Sequence, residues 1–179
     1  MKIHLVGASG SGVTTLGQAL AKELAYPYFD VDNYYWKKTD PPFTEKQPVA
    51  HRQTSLRTDL SPHPNWILGG SLISWSDFIQ DTFDLTVFLN LPPDVRIARL
   101  RRREQQRYGT VIETDPVRRR QYEDFMEWAA QYERDDFSGR SRKNHLDWLE
   151  TLKCPVLKLE GDLSVADRVR RVKDELVRI

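Results

Sequence analysis

Cysteine is almost absent from this chain of 179 residues: Cys154 stands alone, so no disulfide can form within it and no cysteine-based metal site can be assembled. A reducing compartment fits that usage. Long apolar runs are missing as well, none approaching the roughly 20 residues that a membrane span needs. The start, Met1-Lys2-Ile3-His4-Leu5-Val6-Gly7, lacks the basic head and apolar stretch of a signal peptide. The expectation is a cytoplasmic protein with no membrane partner. Charge of one sign is lacking too. Lys and Arg number 27 against 26 Asp and Glu, a net +1, which excludes binding of nucleic acid or membranes by bulk electrostatics. Disorder is excluded by 39% hydrophobic and 11% aromatic residues. The length suits one compact domain, on a prior of about 100–200 residues per domain.

Charge is nonetheless uneven along the chain. Nine arginines between Arg96 and Arg120 face only Glu104, Glu113 and Asp115, a local excess of +6 that calls for a substrate or a partner.

Short apolar runs recur at Ile3–Val6, Tyr28–Val31, Trp66–Leu68, Leu85–Leu89 and Val156–Leu159, each followed by turn residues and a helical pattern. This alternation predicts an α/β fold: five parallel strands in a three-layer α/β/α arrangement, both sheet faces covered by helices. Val13, Leu16, Ala19, Leu20 and Leu24 mark one apolar stripe, and Val165, Val169, Val172 and Leu176 another behind a capping-box-like Ser164. A helix over about Val49–Leu60 stands in a Pro-bearing stretch between the second and third strands. Pro92-Pro93 introduces an Arg-rich helix to about Arg107, stopped by Gly109. Asp115-Pro116 opens a further helix to about Tyr132, and another segment runs from about Ser141 to Leu152.

The most informative segment is Gly7-Ala8-Ser9-Gly10-Ser11-Gly12-Val13-Thr14-Thr15, between a hydrophobic strand and an amphipathic helix. It matches the phosphate-loop pattern G-x-x-x-x-G-K-[ST] at every fixed place except the lysine, where Val13 stands. Glycines let consecutive backbone N–H groups form an anion-binding nest, and the helix N-terminus adds partial positive charge. Thr14 sits where a hydroxyl would join a Mg²⁺ shell. Loss of the lysine removes a preorganised charge of a kind commonly worth ~10²–10³ in rate, unless another cation fills its place. A dinucleotide fingerprint would need glycine at Thr15, which weakens that reading.

Four features in order resemble the P-loop small-molecule kinases, the group holding nucleoside monophosphate kinases and shikimate kinase: this loop, Asp30-x-Asp32 after the second strand, Gly69-Gly70 after the third, and Pro92 with Arg99 and Arg103 after the fourth. The resemblance covers nearly the whole chain and implies ATP and Mg²⁺ as cofactors, with a nucleotide or small molecule as acceptor. It implies that Asp30 orients the metal and that Asp32 contacts the acceptor hydroxyl, where it could act as general base. Strand alternation would put both on one face. Gly69, Gly70 and Ser71 resemble the turn that lets acceptor and backbone approach closely, although Ser71 breaks the glycine triplet of shikimate kinase. Asp84 falls where adenylate kinases have an Asp that assists Mg²⁺. Arg99 and Arg103 match an Arg pair that touches adenine and phosphates at the root of a lid, and Gly161 matches a turn around adenine.

Arg96, Arg99, Arg103 and Arg107 share one helix face by their spacing. For Arg96 and Arg107 the expectation is a solvated face. Residues 34–65 would form an acceptor-binding lobe and 108–136 a lid, with Arg118, Arg119 and Arg120 candidates to close over phosphates. Arg140 and Arg142, on the return from the lid, could supply the charge that Val13 cannot. Tyr34, Tyr35, Trp36 and Trp75 sit on the acceptor side, for stacking or for packing. The four histidines show no metal or triad spacing and read as structural or exposed.

Three functions compete: a kinase moving the γ-phosphoryl group of ATP to a small acceptor, a catalytically degenerate nucleotide-binding regulator, and a nucleic-acid surface at Arg96–Arg120. The near-neutral total argues against the last. Monomer and homodimer both stay open.

Overall fold

The computed structural model describes residues 1–40 and 42–179; residue 41, inside the expected acceptor lobe, lies outside the described residues. Five strands form one sheet: β1 (Lys2–Gly7), β2 (Tyr28–Asp30), β3 (Trp66–Gly69), β4 (Leu85–Asn90) and β5 (Val156–Glu160). Their order is β2-β3-β1-β4-β5, and every pairing is parallel. The helices are α1 (Val13–Leu24), α2 (Asp32–Tyr35), α3 (Val49–Leu60), α4 (Pro93–Tyr108), α5 (Val111–Thr114), α6 (Pro116–Ala130), α7 (Arg142–Leu149) and α8 (Val165–Leu176). The three-layer α/β/α architecture is as expected, and the strand runs sit where the apolar patterns put them. No helix among the described residues is long and apolar enough to cross a membrane.

Strand alternation divides the core into two layers. Ile3 and Leu5 of β1 and Leu85, Val87 and Leu89 of β4 join Leu16 and Leu20 of α1 and Val172 of α8 on one face. Val6 and Phe88 point the other way, to Leu56 and Leu60 of α3 and Trp148 and Leu149 of α7. Both faces are therefore apolar, as a parallel sheet demands. Trp75, weighed as an acceptor-side aromatic, is 1% exposed and belongs to this second core.

Helix ends follow their sequence signals. Ser164 Oγ accepts from the Asp167 amide at the start of α8, and the Asp115 carboxylate accepts from the Arg118 amide before Pro116 opens α6. Gly109 ends α4 with a backbone donation to Gln105.

The chain crosses from β1 to the sheet edge at β2, returns through β3, and continues on the far side at β4. β1 is thus the strand at which the order reverses. In open parallel sheets the crevice beyond the carboxyl end of such a strand is where ligands bind. The Gly7–Thr15 loop occupies that place.

Candidate nucleotide and acceptor site

The loop between β1 and α1 is built to leave its donors free. Gly10 and Gly12 adopt φ of 84° and 96°, left-handed backbone that L side chains rarely accept. The Ser11 amide donates to Ala8 at 3.0 Å to close the turn, and the first helical bond runs from Leu16 to Gly12 at 2.9 Å. No side chain caps α1 at Gly12. The amides of Val13, Thr14 and Thr15 therefore precede the helix's own hydrogen bonding and face outward with the helix dipole. Val13 packs against the Ile3–Leu16 layer of the core and contributes no charge.

Two helices close on the loop. A Cβ on Gly10 would come within 2.9 Å of the Arg96 carbonyl and of Leu100 in α4. A Cβ on Gly12 would meet Arg168 Nη1 at 2.9 Å and Arg99 Nη1 at 3.8 Å. Arg168, 3% exposed, donates to the Ser11 carbonyl at 2.8 Å and more weakly to the Gly161 carbonyl at 3.5 Å. Burial and the neighbouring Arg99 pull its pKa below the ordinary value, against the attraction of Asp162. Arg99 pairs with Asp162. Arg99, Gly12 and the Gly161-Asp162 turn are thus brought to one end of the loop. Arg168 went unremarked in the sequence because its helix reads as an ordinary amphipathic cover.

At the other end stand the carboxylates. Thr14 Oγ1 and the Tyr28 hydroxyl each donate to Asp30 Oδ2 at 3.1 Å, and the Asp32 amide donates to Asp30 Oδ1 at 3.0 Å. Strand alternation is not what joins the two acids: β2 ends at Asp30, Val31 is helical, and Asp32 opens α2. A backbone turn, held by that amide, sets them side by side. Asp32 is an exposed residue, although the surrounding protein crowds its carboxyl. Desolvation and the charge of Asp30 raise its carboxyl pKa, while Arg140 and Arg103 pull it down. Tyr28 reaches Asp30 by lying between Gly17 and Gly69, where added Cβ atoms would sit 2.2 Å and 2.3 Å from its ring and hydroxyl.

The Gly69–Ser71 turn adjoins these acids: the Val31 amide donates to Gly69 at 2.8 Å, and the Gly70 amide donates to Leu5 at 2.9 Å. Ser71, the residue that breaks the expected glycine triplet, completes that turn. It is buried, and its Oγ lies 3.1 Å from His145 Nε2, whose Nδ1 is 2.7 Å from the Tyr132 hydroxyl. Burial, with Arg140 and His4 nearby, holds the His145 pKa down to about 3, so the ring is neutral and links donor to acceptor. This chain joins the acceptor turn to the foot of the expected lid.

Two other expectations, on Asp84 and Arg96, need correction. Asp84 lies at the opposite end of the sheet, since β4 pairs in parallel with β1 and Leu85 is level with Ile3 while Leu89 is level with Gly7. It accepts from the Lys2 amide at 2.7 Å and cannot share a metal with Thr14. Arg96 is 1% exposed rather than solvated. Arg118 lies over Tyr108 at 4.2 Å, Arg119 donates to the Glu113 carbonyl and Arg120 pairs with Asp124 at 2.9 Å, so all three are engaged within the lid segment. Arg103 donates to Glu104 at 2.9 Å and lies 5.6 Å over Phe125. Arg140 rests over Trp128 at 5.6 Å, while Arg142 is linked to Tyr132 only through charge.

Residues 3–126 match the AAA domain family. The chain is similar to the uncharacterized protein YqaC of Bacillus subtilis (strain 168), with 45% identity over 174 residues, 97% of this chain and 96% of that one. It is 33% identical over 117 residues to the shikimate kinase of Bacteroides thetaiotaomicron, 60% of this chain and 67% of that protein. A crystal structure of shikimate kinase from the same organism superposes with a TM-score of 0.58 at 22% identity, over 100% of this chain and 99% of that one. Deoxyadenosine kinase from M. mycoides with bound dATP gives 0.54 at 15% identity, over 98% of each chain. The chain belongs to the AAA domain family and, with the shikimate kinases, to the P-loop small-molecule kinases.

Proposed function

We propose that the protein transfers the γ-phosphoryl group of ATP to a hydroxyl of a small acceptor. The observation that carries this reading is the meeting, at one end of the loop, of Thr14 with Asp30 and of Asp32 with the charges of Arg103 and Arg140. Residues 7–15 hold the phosphates on main-chain amides. The Gly161-Asp162 turn and Arg99 lie where the base and sugar end would rest.

Thr14 and Asp30 fit Mg²⁺: they offer two hard oxygen ligands 3.1 Å apart, and this ion takes most of its remaining shell from phosphates and water. Bound there, it would neutralise charge on the transferring group. Asp32, with its pKa raised, accepts the proton of the acceptor hydroxyl as that oxygen attacks phosphorus and the bond to the β-phosphate oxygen breaks. Segments 34–65 and 108–136 serve as acceptor lobe and lid. The acceptor is a small alcohol, the class to which shikimate and deoxyadenosine belong.

Val13 favours a second reading, a regulator that binds nucleotide and transfers nothing. Calorimetric titration with ATP, with and without Mg²⁺, followed by an acceptor screen read as ADP release, separates the two. Binding strengthened by Mg²⁺ with acceptor-dependent ADP release supports the kinase. Binding without release for any alcohol supports the regulator, and no binding at millimolar ATP removes both.

A further inference from the structure

Arg96 stands in the first turn of α4 against the lip of the phosphate loop, its own carbonyl and Cγ backing Gly10. At 1% exposure its guanidinium is as buried as a core leucine. Yet its hydrogen bonding is meagre. Nη1 donates to the Ser9 carbonyl at 3.4 Å, whereas Nε and Nη2 have no hydrogen-bond partner among the described residues. Glu133 Oε1, 3.9 Å from Nη2, is equally without a hydrogen bond.

A second guanidinium stands nearby. Ser9, Arg96, Trp128, Ala129, Tyr132 and Arg140 line one narrow crevice beside the loop. Two guanidinium groups therefore share it, one over Tyr132 at 5.1 Å and one over Trp128 at 5.6 Å. A buried charge without close partners is costly, and a fold that retains one normally uses it. Glu133 is the one ion-pair partner of Arg96 among the described residues, and at 3.9 Å it makes no hydrogen bond.

We propose that Arg96 is the cation that serves this phosphate loop where Val13 stands in place of lysine, meeting the terminal phosphoryl group of a nucleoside triphosphate at the Ser9–Gly10 edge. This rests on the nucleotide reading above. The assignment to the terminal group follows from the ends of the loop: Arg99 and Arg168 grip the Gly12 end beside Gly161, and Arg96 grips the other. Glu133 is the resting partner, held too far away to compete with a phosphate. Because Trp128, Ala129 and Tyr132 cover the crevice, the charge becomes available as the foot of the lid shifts.

Calorimetric titration of ATP and ADP into the wild-type protein and into Arg96→Met, Arg96→Lys and Glu133→Gln tests this, with a thermal melt of each variant. The expected result is that Arg96→Met weakens ATP by at least about tenfold and ADP by less than about twofold, with Arg96→Lys between. Glu133→Gln tightens ATP, because the competing carboxylate is gone. Equal affinities in Arg96→Met and wild type overturn the proposal. So does parallel loss of both nucleotides and of melting temperature in Arg96→Met and Glu133→Gln, which would mark the pair as an anchor for the lid. If Arg96→Met does not fold, Glu133→Gln decides: tighter ATP supports the assignment, and unchanged or weaker ATP overturns it. A wild-type protein that binds neither nucleotide removes the nucleotide reading itself, whereas the other failures leave that reading standing.

Discussion

The Thr14 hydroxyl donates to Asp30 Oδ2 at 3.1 Å, so the first turn of α1 and the carboxyl end of β2 share one oxygen-lined position next to the phosphate loop. Asp30→Asn keeps that hydrogen-bonding shape and removes the charge. The Mg²⁺-dependent gain in ATP affinity is expected to fall by about 10–100-fold, with metal-free binding changed by less than about twofold. Titration with and without the metal measures both, and an undiminished metal effect would clear Asp30 of the role.

If Asp32 is the base of the proposed transfer, it is expected to set the pH dependence of the reaction. A base must be deprotonated to accept a proton, and burial and Asp30 raise this carboxyl above its ordinary range. kcat/KM therefore climbs with pH and levels off above a midpoint higher than the usual carboxylate value of about 4. Asp32→Asn lowers kcat by roughly 10²–10⁴ and abolishes that limb, leaving ATP affinity unchanged. A variant that kept the same acid limb would assign it to another group.

Arg140 and Arg142 should separate. Arg140 acts on Asp32 through charge and lines the crevice with Ser9, whereas Arg142 opens α7 and acts by charge on Tyr132. Arg140→Ala is expected to reduce kcat/KM by about 10²-fold, and Arg142→Ala by less than about threefold. Equal losses, or none in either, would sink the assignment of Arg140 to the site.

Gly17→Ala tests whether packing overrides helix propensity. Alanine gains about 1 kcal/mol over glycine in a helix interior. Here its Cβ would lie 2.2 Å from Tyr28 Cε2, a clash of the kind that costs about 1–3 kcal/mol. Net destabilisation of about 1–2 kcal/mol in chemical denaturation is the expected outcome, with weaker ATP binding because Tyr28 leaves Asp30. Neutral or raised stability would show that the ring yields freely.

Much of the fold was legible because its signals are local. Each strand is a short apolar run ended by turn residues, and Ser164, Asp115 and Gly109 mark helix ends by their own chemistry. The strand order was not, since pairing β1 with both β3 and β4 depends on contacts between distant segments. The phosphate loop was legible from its glycines. Arg96 was misread for a reason that can be named: spaced with Arg99, Arg103 and Arg107 it looks like a solvated stripe, but α4 turns it onto Gly10, where a missing Cβ admits it. Asp84 misled because the resemblance outweighed the parallel pattern, which already puts the start of β4 at the sheet end away from the loop that follows β1. His145 bore no spacing to Ser71 or Tyr132, and only the fold joins them.

The bond from Arg168 to the Ser11 carbonyl spans 157 positions of the chain. During synthesis the loop is therefore made well before the side chain that donates to it. At roughly 5–20 residues per second the interval is about 10–30 s. A nascent chain thus carries its loop held by local turn bonds alone, and gains the Arg168 brace only when α8 docks.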